Sequence, residues 1–130
     1  MDRVHTTVVT KQSPWSVSDT VARLSAVAVA RGMKVFAVID HGAEARSAGL
    51  ELPDTQVVIM GNAGASTPLI ACERLVALDL PLKVVVWADG CETNVSYTAP
   101  GALAARYGLG PDLADRLAGV HVVTDVAIDR

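Results

Sequence analysis

Aromatic residues are scarce in this chain: two Trp, two Tyr and one Phe make up 4% of its 130 residues. Its interior must therefore be built from Val, Leu, Ile and Ala, which the 51% hydrophobic content supplies. Cysteine is nearly absent too. Cys72 and Cys91 lie far apart with no CxxC or CxxH spacing, which signals neither a zinc site nor a redox pair; both are expected as reduced thiols of a cytoplasmic protein. No segment approaches the ~18 apolar residues that a membrane-spanning helix needs, and MDRVHTTVVT sets charges beside its one short apolar run. A soluble, unprocessed protein with no membrane partner is the expectation. Clusters of positive charge are also missing. With a net charge of −3, a pI near 5.5 and basic residues scattered singly, the chain lacks the footprint of a nucleic-acid binder. Repeats, linkers and low-complexity segments are absent, and a chain of this length makes one domain, 1–130.

What is present alternates between strand and helix signals. Val4 to Thr10 has the β-branched composition of a strand. Ser16 then suits a helix cap, Asp19 suits the positive end of a helix dipole, and Val17, Val21, Leu24 and Ala28 recur at helical spacing up to Gly32. Lys34 to Asp40 reads as a second strand, His41 to Ala48 as a short helix closed by Gly49, and Val57 to Met60 as a third, buried strand. In GNAGASTPL, Gly61 to Leu69, Thr67 is placed to cap a helix that Pro68 begins and that runs to about Val76. Leu82 to Ala88 is a fourth strand, turning at Asp89 and Gly90 into a fifth at Asn94 to Thr98. A short helix at Ala102 to Tyr107 and a final helix carrying Leu113, Leu117, Val120 and Ala127 complete the chain, although HVVTDVAI within the latter is also strand-like. The order predicts an α+β domain: one antiparallel or mixed sheet of about five strands, with four or five helices mainly on one face.

Several segments recur together in a known arrangement. IDHGAEARSAGLEL, GNAGASTPL, LDLPLKVVVWADG, VSYTAP and LAARYGL closely resemble the domain-of-unknown-function family 302, whose pattern includes an Asp-His pair, a GNPxxGTPL box and an LDLPLK strand. The resemblance spans nearly the whole chain. Ala63 stands where the family usually has proline and Ser66 where it usually has glycine. The resemblance implies a compact α+β domain, with the topology of TATA-binding-protein-like folds among its options, and it brings no established activity.

The polar residues leave two function classes open. Asp40 and His41 end a strand, so His41 is a candidate general base oriented by a carboxylate, although a plain helix cap at Asp40 is the favoured reading. The loop with Asn62 and Thr67 offers N–H groups at a helix start, suited to a small anion, although it lacks the Lys of a P-loop and the GxGxxG spacing. Lys83 is the charged residue of an otherwise apolar strand; it faces either a pocket, where it pairs with Asp40 or a ligand, or the surface. Tyr97, Asp89 and Arg106 are further donors and acceptors for such a site. His5, His41 and His121 show no ligand spacing, so no metal is expected, and no cofactor motif is present. With no GxSxG elbow and no cysteine with a readable His partner, a non-catalytic module for a small anionic ligand or a protein partner is favoured over an enzyme using His41 with Asp40. A mean hydropathy of +0.36 in so small a domain further predicts a homodimer, with the final helix as a candidate contact.

Overall fold

The computed structural model describes residues 7–130. Its frame is a five-stranded sheet made of β1 (Val8–Ser13), β2 (Lys34–Asp40), β3 (Thr55–Gly61), β4 (Leu82–Asp89) and β5 (Glu92–Thr98). Their spatial order is β1-β5-β4-β3-β2, and every neighbouring pair is antiparallel. The first strand lies later than Val4 to Thr10, because Gln12 and Ser13 pair with Asn94 and Thr93 and so extend it. Val4, His5 and Thr6 lie outside the described residues. The β4–β5 hairpin turns where the sequence places it, with Gly90 at φ +61°, but β5 starts at Glu92 because that residue pairs with Asp89.

Helix α1 (Val17–Ala30) starts as its sequence dictates, with the Ser16 hydroxyl accepting from the Asp19 N–H at 3.0 Å. Asp40 likewise caps α2 (His41–Ser47). The third helix departs from expectation. α3 runs from Ala63 to Cys72, so its cap is Asn62, not Thr67, and Pro68 stands inside it rather than at its first position. Asn62 is as good a capping residue as Thr67 and comes first, directly after the strand ends at Gly61. The helix also stops short of Val76, giving way to a 3-10 turn, Arg74–Asp79. Pro100 begins α4 (Pro100–Arg106) two residues ahead of the sequence reading.

The last expected helix is broken into α5 (Pro111–Ala114), a 3-10 turn at Asp115–Leu117 and α6 (Gly119–Ile128). HVVTDVAI is helical: Val120, Val123, Thr124 and Ala127 follow the helical period and are buried. One face of the sheet, carrying Val58, Met60, Val84, Val86, Val95 and Tyr97, packs against α1 and α6 to form the main core. A smaller cluster of Leu69, Val76, Leu103 and Leu117 seals α3 and α4 onto it. On the other face, Val8, Val57, Lys83 and Val85 line a shallow depression bounded by strand residues alone.

Candidate functional site

Where β4 begins and β5 ends, the sheet meets the 3-10 turn, α4 and α6, and a cavity of about 120 Å³ opens between them. Asp79, Leu82, Lys83, Tyr97, Thr98, Leu103 and Val120 line it. The run LDLPLK builds one wall: Asp79 closes the 3-10 turn, Pro81 forces the chain out of helix, and β4 starts at Leu82. Strand alternation then turns Leu82 and Val84 toward the helices and leaves Lys83 exposed on the other side of the strand, at the cavity rim.

Most polar groups around the cavity are already engaged. Asp79 Oδ2 accepts from Arg106 Nη1 at 2.9 Å and from the Tyr107 hydroxyl. The Tyr107 hydrogen bond holds the Asp79 carboxyl below the usual carboxylate range; burial opposes this, and Arg106 and Lys83 add to it. Conversely, Asp79 and then burial push the Tyr107 hydroxyl up. On the opposite wall Tyr97 Oη meets His121 Nδ1 at 2.5 Å, the two rings edge to face. Lys11 Nζ donates to Thr124 Oγ1 at 2.7 Å and to the His121 carbonyl at 3.2 Å, and pairs with Asp125 at 2.7 Å. Burial pulls the Lys11 ammonium down, but Asp125 and Tyr97 outweigh it, so its pKa is raised. Lys83 belongs to neither of the ion pairs found among the described residues.

The fold separates Asp40 and His41 from Lys83, which the sequence reading brought to one end of the sheet. Asp40 pairs across the sheet with Gln56, whereas Lys83 pairs with Ile59, so Asp40 and His41 sit at the opposite end from Lys83. Three residues along and two strands across amounts to roughly 14 Å, too far for an Asp40–Lys83 ion pair. The Asp40 carboxylate accepts from the Ala43 N–H at 2.9 Å, as a helix cap does. Asn62 shares Lys83's end of the sheet, accepting from the Ala65 N–H at 3.2 Å and donating to the Gly32 carbonyl at 3.0 Å. The cleft beside it, bordered by Ser66, Pro81 and Arg116, measures about 30 Å³, room for a water or two. Thr67 lies in the second turn of α3 and is exposed.

Of the cavity residues, the sequence singled out Lys83 and Tyr97, with Arg106 close by. It missed Asp79 and, beside the cavity, Tyr107 and Lys11, and it weighed His121 only as a metal ligand. Asp79 stood in the LDLPLK run, four residues before Lys83; nothing local marked Lys11 or His121, which meet only through the β1–β5 pairing and the packing of α6. Among the described residues no three His, Cys, Asp or Glu side chains converge as a metal cluster would require.

An antiparallel α+β domain with helices on one sheet face and a small, partly polar cavity at one sheet end defines a class of small single-domain proteins with a pocket. Within it, the sequence profile of the Domain of unknown function DUF302 matches residues 9–122, and the chain belongs to that family. The crystal structure of the uncharacterized conserved protein DUF302 from Bacillus stearothermophilus superposes with a TM-score of 0.81 at 18% identity, covering 95% of this chain and 97% of that one. The chain is also 41% identical over 104 residues to the "Fluoride-specific ion channel FluC 1" of Brucella suis biovar 1 (strain 1330), covering 79% of this chain and 41% of that protein. The "Fluoride-specific ion channel FluC 2" of Brucella melitensis biotype 1 (strain ATCC 23456 / CCUG 17765 / NCTC 10094 / 16M) is 41% identical over 104 residues, 38% of its length. The chain thus spans about two fifths of the curated relatives it matches.

Proposed function

We propose that this chain is a non-catalytic binding module whose ligand, a small anion, occupies the cavity between Asp79, Lys83, Tyr97 and Thr98. The observation that carries the reading is the cavity itself. It is lined by Leu82, Leu103 and Val120 together with Asp79, Tyr97 and Thr98, and carries at its rim a lysine that belongs to neither ion pair among the described residues. Its volume approaches that of an engineered cavity of ~150 Å³ that takes up benzene, which limits the ligand to an inorganic anion or a carboxylate of a few heavy atoms.

The Brucella relatives support a small anion from a second direction. An ion channel must span a bilayer, and among the described residues here no helix is long and apolar enough to do so. In this reading the channel part of those relatives lies in their remaining length, and the shared segment is an anion-binding appendage to it. Two exposed free thiols favour a reducing compartment, and we place the chain in the cytoplasm on that basis. An enzymatic role for His41 draws no support from its surroundings, because its neighbour Asp40 is spent on capping α2.

The test is a thermal-shift and calorimetric titration with fluoride, chloride, phosphate, sulfate and acetate. At 100 times the dissociation constant, an anion that binds only the folded state stabilises it by about 2.7 kcal/mol. Lys83→Ala is expected to abolish the response and His41→Ala to leave it intact. A wild-type protein that none of these anions stabilises, or a Lys83→Ala variant that responds equally, overturns the reading.

A further inference from the structure

Strands β2, β3 and β4 contain FAVI, VVIM and VVVWA, unbroken apolar runs of the kind found where a sheet is covered on both faces. Among the described residues, elements cover only one face. Val58, Met60, Val84 and Val86 are sealed beneath α1 and α6, while Val57 and Val85, alternating with them, look onto the open depression. Val8 and Ile39, toward its two sides, are 37% and 38% exposed. We infer that a second copy of this chain covers this face, the two sheets stacking across a two-fold axis that runs perpendicular to the strands.

Charge placement selects the second copy. Lys83 and Asp89 stand at opposite ends of β4, both on the open face because both alternate with the buried Val84 and Val86. An axis that reverses strand direction lays β4 on its counterpart, centred at Val86. Each Lys83 then lies over the other copy's Asp89, and each Val85 over the other copy's Trp87. That is the self-complementarity an isologous contact requires. Glu92, paired beside Asp89 in the hairpin, strengthens the acidic end.

The polar groups in the middle of the face are already bonded to one another. Trp87 Nε1 donates to Ser96 Oγ at 2.9 Å, and Ser96 Oγ shares a second hydrogen bond with Thr10 Oγ1 at 2.9 Å. Covering them therefore leaves the indole N–H paired, and of the two hydroxyls only one O–H without an acceptor inside the chain. The area also suffices. Five strands about 4.8 Å apart, each six to eight residues long at ~3.4 Å per residue, present a flat footprint of roughly 500 Å² per copy, level for the pair with the smallest specific interfaces at ~1,000 Å².

Sedimentation velocity over a wide concentration range tests the contact, independently of any ligand. The wild-type protein is expected to sediment as a dimer that dissociates on dilution. Val85→Glu, which sets like charges near the axis, is expected to weaken it at least a hundredfold. Asp89→Lys is expected to weaken it as well, and adding Lys83→Asp to restore it, because the charges are then exchanged rather than opposed. Val38→Glu on the exposed edge strand β2 is expected to leave it unchanged. Circular dichroism checks that each variant folds. If Val85→Glu does not, a Trp15→Phe protein keeps the native face and leaves Trp87 as the only indole, whose emission should shift to the red as the dimer is diluted. A monomer at every concentration overturns the inference. So does a dimer that Val85→Glu leaves intact and Val38→Glu dissolves, which would place the contact at the β2 edge.

Discussion

Tyr97 on β5 and His121 on α6 are joined Oη to Nδ1 at 2.5 Å, a hydrogen bond between the sheet and the helix that closes its core. Tyr97 is only 4% exposed, so its hydroxyl has little access to water as a substitute partner. Tyr97→Phe keeps the ring and removes this bond. The expected cost is about 1–2 kcal/mol in chemical denaturation, the loss of one hydrogen bond plus an unmatched imidazole nitrogen. A change below about 0.5 kcal/mol would show that His121 finds water in the variant.

Asp79 and Tyr107 make stability depend on pH at both ends of the scale. The Asp79 carboxyl is held below its ordinary range, first by the Tyr107 hydroxyl. Its contribution is therefore full above the unfolded carboxylate range of ~4 and is lost as the pH falls through the lowered folded value. The Tyr107 hydroxyl is raised, first by Asp79, so its contribution is full below the unfolded tyrosine value of ~10 and is lost as the pH rises through the folded one. Tyr107→Phe is expected to flatten both limbs of a Tm-against-pH profile. Asp79→Asn should flatten the acid limb without steepening the alkaline one.

The cap of α3 gives a sharper comparison. Asn62→Ala removes the acceptor for the Ala65 N–H and the donor to Gly32, with an expected cost of about 1 kcal/mol or somewhat more. Thr67→Ala, on the exposed side of the second turn, should change stability by less than about 0.5 kcal/mol. Urea denaturation of the two variants side by side decides which residue holds the helix start.

What the sequence revealed and what it hid follow from the range of the interactions involved. The strand from Leu82 to Ala88, the Ser16 cap and the Asp89–Gly90 turn are local, and each is present in the fold. Asp40 was legible as a cap for the same reason. The cap of α3 was misplaced because Asn62 and Thr67 are both sound caps and Pro68 favoured the later one. The candidate cavity was only half legible. Lys83 and Tyr97 stood out as polar residues in strand sequence, but whether Lys83 meets Asp40 depends on strand order, β1-β5-β4-β3-β2, which no local signal encodes. The same order brings Lys11 to Thr124 and Asp125 across more than a hundred residues of chain.

Pro68 supplies a last prediction because its position works against the helix that contains it. It is the sixth residue of α3, beyond the first turn in which a missing N–H is harmless, and it cannot donate to the Gly64 carbonyl four residues earlier. A proline in a helix interior costs ~3 kcal/mol, while its stiffness in the unfolded chain returns roughly 0.4–1 kcal/mol. Part of that cost is already relieved here, because Pro68 lies close to the helix start and the solvent can reach the freed carbonyl of exposed Gly64. Pro68→Ala is thus expected to stabilise the domain by about 1 kcal/mol, a rise in Tm of roughly 3–6 °C for a chain of this size. The anion response of the wild-type protein should survive the change, since Pro68 does not line the cavity beside Lys83. Lower stability in the alanine variant would mean that the half-buried ring contributes more through its contacts than it costs the helix.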